Sequence, residues 1–209
     1  MTSLASVTLE VADLTAAERF YATAFGLGPE LSLRATEEPA SGFRGFTLSL
    51  TVSQPADVDV LVRAALEAGA TTLKPASKSL WGYGGVVQAP DGTIWKLATS
   101  AKKNSGPATG HIDSVVLLLG VEDMKASRQF YVGQGLAVAK SFGSKYVEFA
   151  AGTGPVTLAL YKRTALAKDA GVPADGTGSH RIVLGGTAGS FTDPDGFAWE
   201  AASLARTGE

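Results

Sequence analysis

Two side chains stand where chemistry could be done, and each follows the same kind of turn. Ala89-Pro90-Asp91-Gly92 leads into Thr93-Ile94-Trp95-Lys96, and Asp193-Pro194-Asp195-Gly196 leads into Phe197-Ala198-Trp199-Glu200. Proline fixes φ before the bend and glycine takes the φ > 0 position that closes it, so Pro-Asp-Gly between apolar runs marks a tight turn into a strand. Strand side chains alternate, which places Trp95 and Leu97 on one face and Ile94, Lys96 and Ala98 on the other. The same parity separates Trp199 from Glu200. With helices covering the tryptophan face, Lys96 and Glu200 belong to an uncovered, concave face. A lysine there either holds an anionic group or reaches solvent, and a glutamate is either a ligand or half of an ion pair.

What the chain lacks narrows the chemistry further. Cysteine is absent, so disulfides, zinc–thiolate sites and a cysteine nucleophile are excluded. Neither a Gly-rich phosphate loop nor a nucleophile elbow is present. A formal net charge of -2 provides no field to hold a nucleic acid backbone. Met1-Thr2-Ser3-Leu4 shows no basic region followed by an apolar core, and no apolar run approaches the ~20 residues of a membrane span. The expectation is a cytoplasmic protein with neither nucleic acid nor membrane as a partner. At 209 residues, 45% hydrophobic and 18% charged, the chain reads as ordinary globular protein of one or two domains.

The elements that position these residues repeat. Val11-Ala12-Asp13-Leu14 through Arg19-Phe20-Tyr21 recurs as Val121-Glu122-Asp123-Met124 through Gln129-Phe130-Tyr131, and the two Pro-Asp-Gly strands follow at similar distances. The stretch between the copies, 101–110, has the composition of an exposed linker. Val7-Thr8-Leu9-Glu10-Val11 alternates as a half-buried strand, Asp13 caps a following helix, and Gly26 ends it. Residues 43–98 read as a complete β-α-β-β-β unit, with Pro55 opening its helix, and 111–161 as a second. The opening stretch, 1–42, has room for a strand, a helix and one short strand. After 161, residues 165–178 read as loop, and the strands near 180–184, 189–192 and 198–202 form a last unit without a helix.

Together these features resemble the vicinal oxygen chelate superfamily, which includes glyoxalase I, extradiol dioxygenases, and bleomycin- and fosfomycin-resistance proteins. The resemblance rests on the strand-Asp-Leu/Met-helix-Phe-Tyr openings, Gly42-Phe43-Arg44-Gly45-Phe46-Thr47-Leu48, Trp81-Gly82-Tyr83-Gly84-Gly85, and both Pro-Asp-Gly-x-x-Trp strands. It covers nearly the whole chain as two tandem, degenerate copies. The implied fold is α+β, with paired β-α-β-β-β modules forming curved mixed sheets around clefts. The expected division is a glyoxalase-like domain at 1–100 with its first module shortened, a linker at 101–110, and a second such domain at 111–209 whose second module lacks its helix. Units 43–98 and 111–161, complete and consecutive, are expected to pair with each other. The segments 1–42 and 180–204 would then meet in a composite module holding Ser6, Arg181 and Glu200. The competing arrangement keeps 1–100 and 111–209 as independent folding units.

Metal-dependent members of that superfamily supply histidines and carboxylates from the cleft strands. The resemblance places Ser6, Gly45 and Lys96 at three such positions in the first copy, and Ser114, Ala159, Arg181 and Glu200 at those of the second. Only Glu200 is ligand-like, and one carboxylate does not make a metal site. His180 falls one residue off a ligand position and reads as a satisfied surface or interface histidine; His111 lies at the edge of the linker. The expectation is therefore no metal and no cofactor. Val116, Leu118, Ala159 and Tyr161 make an apolar cleft wall suited to an organic ligand. Trp81 and Tyr83, among glycines, either line the cleft or pack as core, and Arg181 with Glu200 forms either a ligand pair or a salt bridge between neighbouring strands. The residues assigned to ligand binding are Trp81, Tyr83, Lys96, Tyr161, Arg181 and Glu200. The functional expectation is metal-independent binding of a small organic molecule, as in bleomycin resistance, by a binding protein rather than an enzyme, with a homodimer left open. The alternatives are a lyase, isomerase or dioxygenase with an atypical site, and a ligand-free structural or regulatory protein.

Overall fold

The computed structural model describes residues 2–27, 31–152 and 154–202, so the end of the expected closing segment lies outside the described residues. The first half runs β1 (Leu4–Val11), α1 (Leu14–Phe25), β2 (Ser32–Ala35), β3 (Ala40–Gly42), β4 (Phe46–Thr51), α2 (Pro55–Glu67), β5 (Thr71–Ser79), β6 (Gly82–Gln88) and β7 (Ile94–Thr99). The second runs β8 (Ser114–Val121), α3 (Met124–Gly133), β9 (Val138–Ser141), β10 (Tyr146–Phe149), β11 (Val156–Lys162), α4 (Arg163–Ala170), β12 (Gly176–Gly178), β13 (Ile182–Gly186), β14 (Phe191–Thr192) and β15 (Ala198–Ala201). Both repeated openings behave as their residues require. Asp13 accepts from the Ala16 amide and Asp123 from those of Lys125 and Ala126, satisfying N–H groups that have no partner inside a helix. Gly26, at φ 61°, closes α1 in the left-handed conformation that costs a Cβ-bearing residue energy.

The α+β architecture of curved mixed sheets follows the expectation. An eight-stranded sheet has the order β5-β6-β7-β4-β8-β11-β10-β9, and its two complete four-stranded units join through antiparallel β4 and β8, with Leu48 opposite Leu117. A five-stranded sheet, β14-β15-β13-β1-β2, brings the opening and closing segments together: β1 runs antiparallel to β13, with Leu9 opposite Ile182. β3 and β12 form a short ribbon of their own. One hydrophobic core serves both larger sheets, since Val7, Leu9 and Val11 of β1 belong to the same cluster as Leu48, Leu50, Leu117 and Leu119.

Strand parity decides which faces are buried in that core. Trp95 is fully buried against Tyr21 and Phe25 of α1, and Trp199 packs on Tyr131 of α3, as the helix-facing assignment requires. Each tyrosine also reaches a Pro-Asp-Gly turn. The Tyr21 hydroxyl donates to Asp91 at 2.7 Å and that of Tyr131 to Asp193 at 2.6 Å, so α1 is tied to the eight-stranded sheet and α3 to the five-stranded one. Residues 101–110 are exposed for most of their length but fastened to α2. Asn104 accepts from the Ala56 amide at 2.8 Å, capping a helix whose own N-cap residue, Gln54, makes no side-chain cap bond. Burial pushes the Asp57 carboxyl up, but the amides of Gly110 and Thr109 outweigh it and hold it below its ordinary value.

Candidate functional site

Helix α4 overturns the reading of 165–178 as loop. Arg163-Thr-Ala-Leu-Ala-Lys-Asp-Ala holds several good helix formers, and Gly171 at φ 83° terminates it by donating to the carbonyls of Ala167 and Lys168. Leu166, Ala167 and Ala170 are buried in a second cluster with Phe43, Val86 and Ile94, and Leu118 and Tyr161 pack against it. Val86, Ile94, Leu118 and Tyr161 belong to the outward face of the eight-stranded sheet, and Phe43 lies in the segment that leads into β4. The apolar wall expected of Leu118 and Tyr161 therefore does not stand open, because the chain's own helix lies on it. Eight residues that run straight on from a strand into a glycine-containing stretch carry too little periodicity for the sequence to reveal such a helix.

Polar contacts tie α4 at both ends. Arg163 donates to the Phe43 carbonyl at 2.9 Å and to that of Ala174 at 3.2 Å, its guanidinium lying over the Phe43 ring. At the other end Lys96 meets Asp169 at 2.6 Å and Lys74 donates to the Lys168 carbonyl at 2.7 Å. Both lysines belong to the outward face, each opposite Val86 in the strand register. Between this end of α4 and the β5–β6 hairpin lies a groove of about 620 Å³, lined by Lys74, Trp81, Tyr83, Val86, Lys96 and Asp169 among others. Its floor includes Gly84 and Gly85. Trp81 is 83% exposed at the hairpin tip, and the Tyr83 hydroxyl turns away to Asp59 of α2 at 2.7 Å.

The outward face of the five-stranded sheet carries no helix among the described residues. Its groove, about 550 Å³, is lined by Glu10, Arg34, His180, Val183, Ala198 and Glu200 with neighbouring backbone. Ser6 and Glu200 both lie opposite Gly185, so they share one row across the sheet. Arg34 grips Glu200 with two bonds of 2.9 and 2.8 Å and stands 3.6 Å from Glu10. That hydrogen bonding holds the Glu200 carboxyl below its ordinary value. The salt bridge expected between Arg181 and Glu200 is not formed. Arg181, at φ 53°, sends its guanidinium to the Glu38 carbonyl, and Arg34 of the weak strand β2 takes Glu200 in its place. His180 is stacked on Phe197 at 4.1 Å, with the carbonyl oxygens of Arg44 and Asp195 facing its two ring nitrogens, in keeping with a satisfied histidine.

The six assigned residues thus divide. Trp81, Tyr83 and Lys96 border one groove, Tyr161 packs on the α4 cluster of the same sheet, Glu200 lines the groove of the other sheet, and Arg181 leaves it. Lys74, Asp169, Arg163 and Arg34 were missed. Lys74 was legible, since the alternation of Thr71-Thr72-Leu73-Lys74 marks a strand, whereas the others depend on which segments fold together.

The residues present do not fit the divalent metal that the resemblance implies for metal-dependent relatives. Gly120 donates to the Gly45 carbonyl at 2.7 Å while Ser114 lies opposite Thr51, so the two positions sit at opposite ends of the β4–β8 pair, about 20 Å apart. A side chain at position 45 would run into the Arg163 guanidinium. Lys96 repels a cation, Arg181 offers no donor to one, and Glu200 is already engaged by Arg34. Among the described residues no three His, Cys, Asp or Glu side chains come together as a metal-binding group.

No protein-family model and no curated protein matches the sequence. Solved structures do match the fold. Glyoxalase I from Zea mays superposes with a TM-score of 0.62 at 16% identity, over 95% of this chain and 91% of that one. A putative dioxygenase from Bacillus subtilis subsp. subtilis str. 168 gives 0.53 at 12% identity, over 88% of this chain and 69% of that one. At these identities the likeness establishes the architecture alone. No described helix is long and apolar enough to cross a membrane.

Proposed function

We propose that this chain, a vicinal oxygen chelate fold, binds a small organic molecule without a metal in the groove between Trp81 and Lys96, sequestering it in the manner of bleomycin-resistance proteins. The observation that carries this reading is the groove itself. It has about 620 Å³ of space, an exposed tryptophan at its rim and two lysines at its inner end. That volume suits a drug- or metabolite-sized molecule, and an indole that is 83% exposed has a ring free for stacking. Sequestration requires affinity and no reactive group, which agrees with a groove in which the one ligand-type position on the lining is Lys96, a residue that offers a divalent metal no donor.

A thermal-shift screen of the protein and of Trp81→Ala against metabolites and natural products tests it. A compound binding the native state raises Tm, and that rise is expected to vanish in the variant. Silence across a broad library would instead favour a structural or regulatory protein. A stoichiometric divalent ion in protein purified without chelator would overturn the metal-independent reading.

A further inference from the structure

Asp169 is an odd residue to find where it is. It lies in the last turn of α4, where the helix dipole disfavours a carboxylate and favours a cation. Burial of Leu166, Ala167 and Ala170 anchors α4 to the sheet, and the Asp169–Lys96 pair adds only an exposed polar tie at the end of the helix. Its side chain is 45% exposed and meets Lys96, itself 36% exposed, at 2.6 Å inside the groove. A pair so open to water contributes little to stability. Two ammonium groups converge on this end of the helix, Lys74 on the Lys168 carbonyl and Lys96 on the Asp169 carboxylate. The other carboxylate lining the groove, Asp113, is engaged by the Ser53 hydroxyl at 2.9 and 3.1 Å.

Building on the proposed binding function, we infer that Asp169 is an internal stand-in for the ligand's anionic group. The ligand is an aryl or alkyl carboxylate, or a similar organic anion, whose charged end takes Lys96 over from Asp169 while its apolar body lies along the glycine floor towards Trp81. Asp169 turns to solvent, and α4 stays in place on its apolar contacts.

The probes are 2-naphthoate and its neutral analogue 2-naphthamide, followed by quenching of tryptophan fluorescence. Trp95 and Trp199 are buried, so the exposed Trp81 is the reporter. Titrations compare the full chain with Asp169→Asn, Asp169→Glu and Lys96→Gln. Removing the competing carboxylate in Asp169→Asn is expected to tighten naphthoate about two- to five-fold, the range an exposed ion pair is worth, and to leave naphthamide unchanged. Asp169→Glu retains the competitor and should behave as the parent, and Lys96→Gln should abolish the preference for naphthoate. If both compounds quench but Asp169→Asn shifts them equally or not at all, the anion inference is wrong while the groove assignment stands. If neither compound quenches Trp81 in any of these proteins, the groove assignment falls and this inference with it. Should Asp169→Asn fold poorly by circular dichroism, Asp169→Ser removes the same carboxylate and is read by the same criteria.

Discussion

The outward faces of the two sheets began from similar strands and met different fates. On the eight-stranded sheet, the eight residues that follow β11 fold into α4 and bury Leu166 and Ala167 against Phe43, Val86 and Ile94, while the end beside Trp81 stays open as a groove. On the five-stranded sheet no described helix follows, and the face stays a polar groove in which Arg34 answers Glu10 and Glu200. The difference shows how a cleft scaffold can be closed from within. An apolar face recruits an apolar segment of its own chain because burial offsets the ordering of a short helix. A face bearing charges is satisfied by a single arginine and needs no cover.

Stripping the cover should have the largest effect. Leu166→Ala removes the one leucine of α4, which is buried, and is expected to cost about 2–5 kcal/mol in urea unfolding, with faster proteolysis within 163–178. An equal effect from Arg34→Ala would break the distinction between an apolar and a polar face. Next come the tyrosine ties. Tyr131→Phe leaves the buried Asp193 carboxylate short of a donor and should cost about 1–3 kcal/mol, whereas Tyr21→Phe, opposite the less buried Asp91, should cost less. The reverse order would show that the five-stranded sheet depends less on its helix tie than the eight-stranded one.

Acid sharpens the comparison at a smaller scale. Because the folded Glu200 carboxyl sits below its ordinary value, its contribution is present above the unfolded value and is lost as pH falls through the folded one. Urea midpoints should therefore place Glu200→Gln below the parent by no more than about 1 kcal/mol at neutral pH, and the gap should close as acidification protonates Glu200 in the folded protein. The smallest stability effect belongs to Trp81→Ala. At the exposed hairpin tip it should move stability by no more than about 0.5 kcal/mol, so that any loss of ligand binding reports the groove and not the fold.

Much of this arrangement was legible without coordinates. Asp13 and Asp123 mark helix starts because an unpaired amide needs an oxygen, and Pro-Asp-Gly marks the turns because proline presets φ and glycine takes the positive φ that closes each of them. Period-two alternation alone separates Trp95 from Lys96 and Trp199 from Glu200. Such signals are local, written within a few residues of one another. Partners across the chain are another matter. That Arg34 and not Arg181 would hold Glu200, that the Asp169 carboxylate would meet Lys96, and that α4 would lie on Leu118 and Tyr161 depends on which strand edges come together. Pairings between residues tens to more than a hundred positions apart leave no periodic trace in the sequence. They are decided when β4 meets β8 and β1 meets β13, since only that joining brings the faces, and the segments that cover or contest them, to the same place.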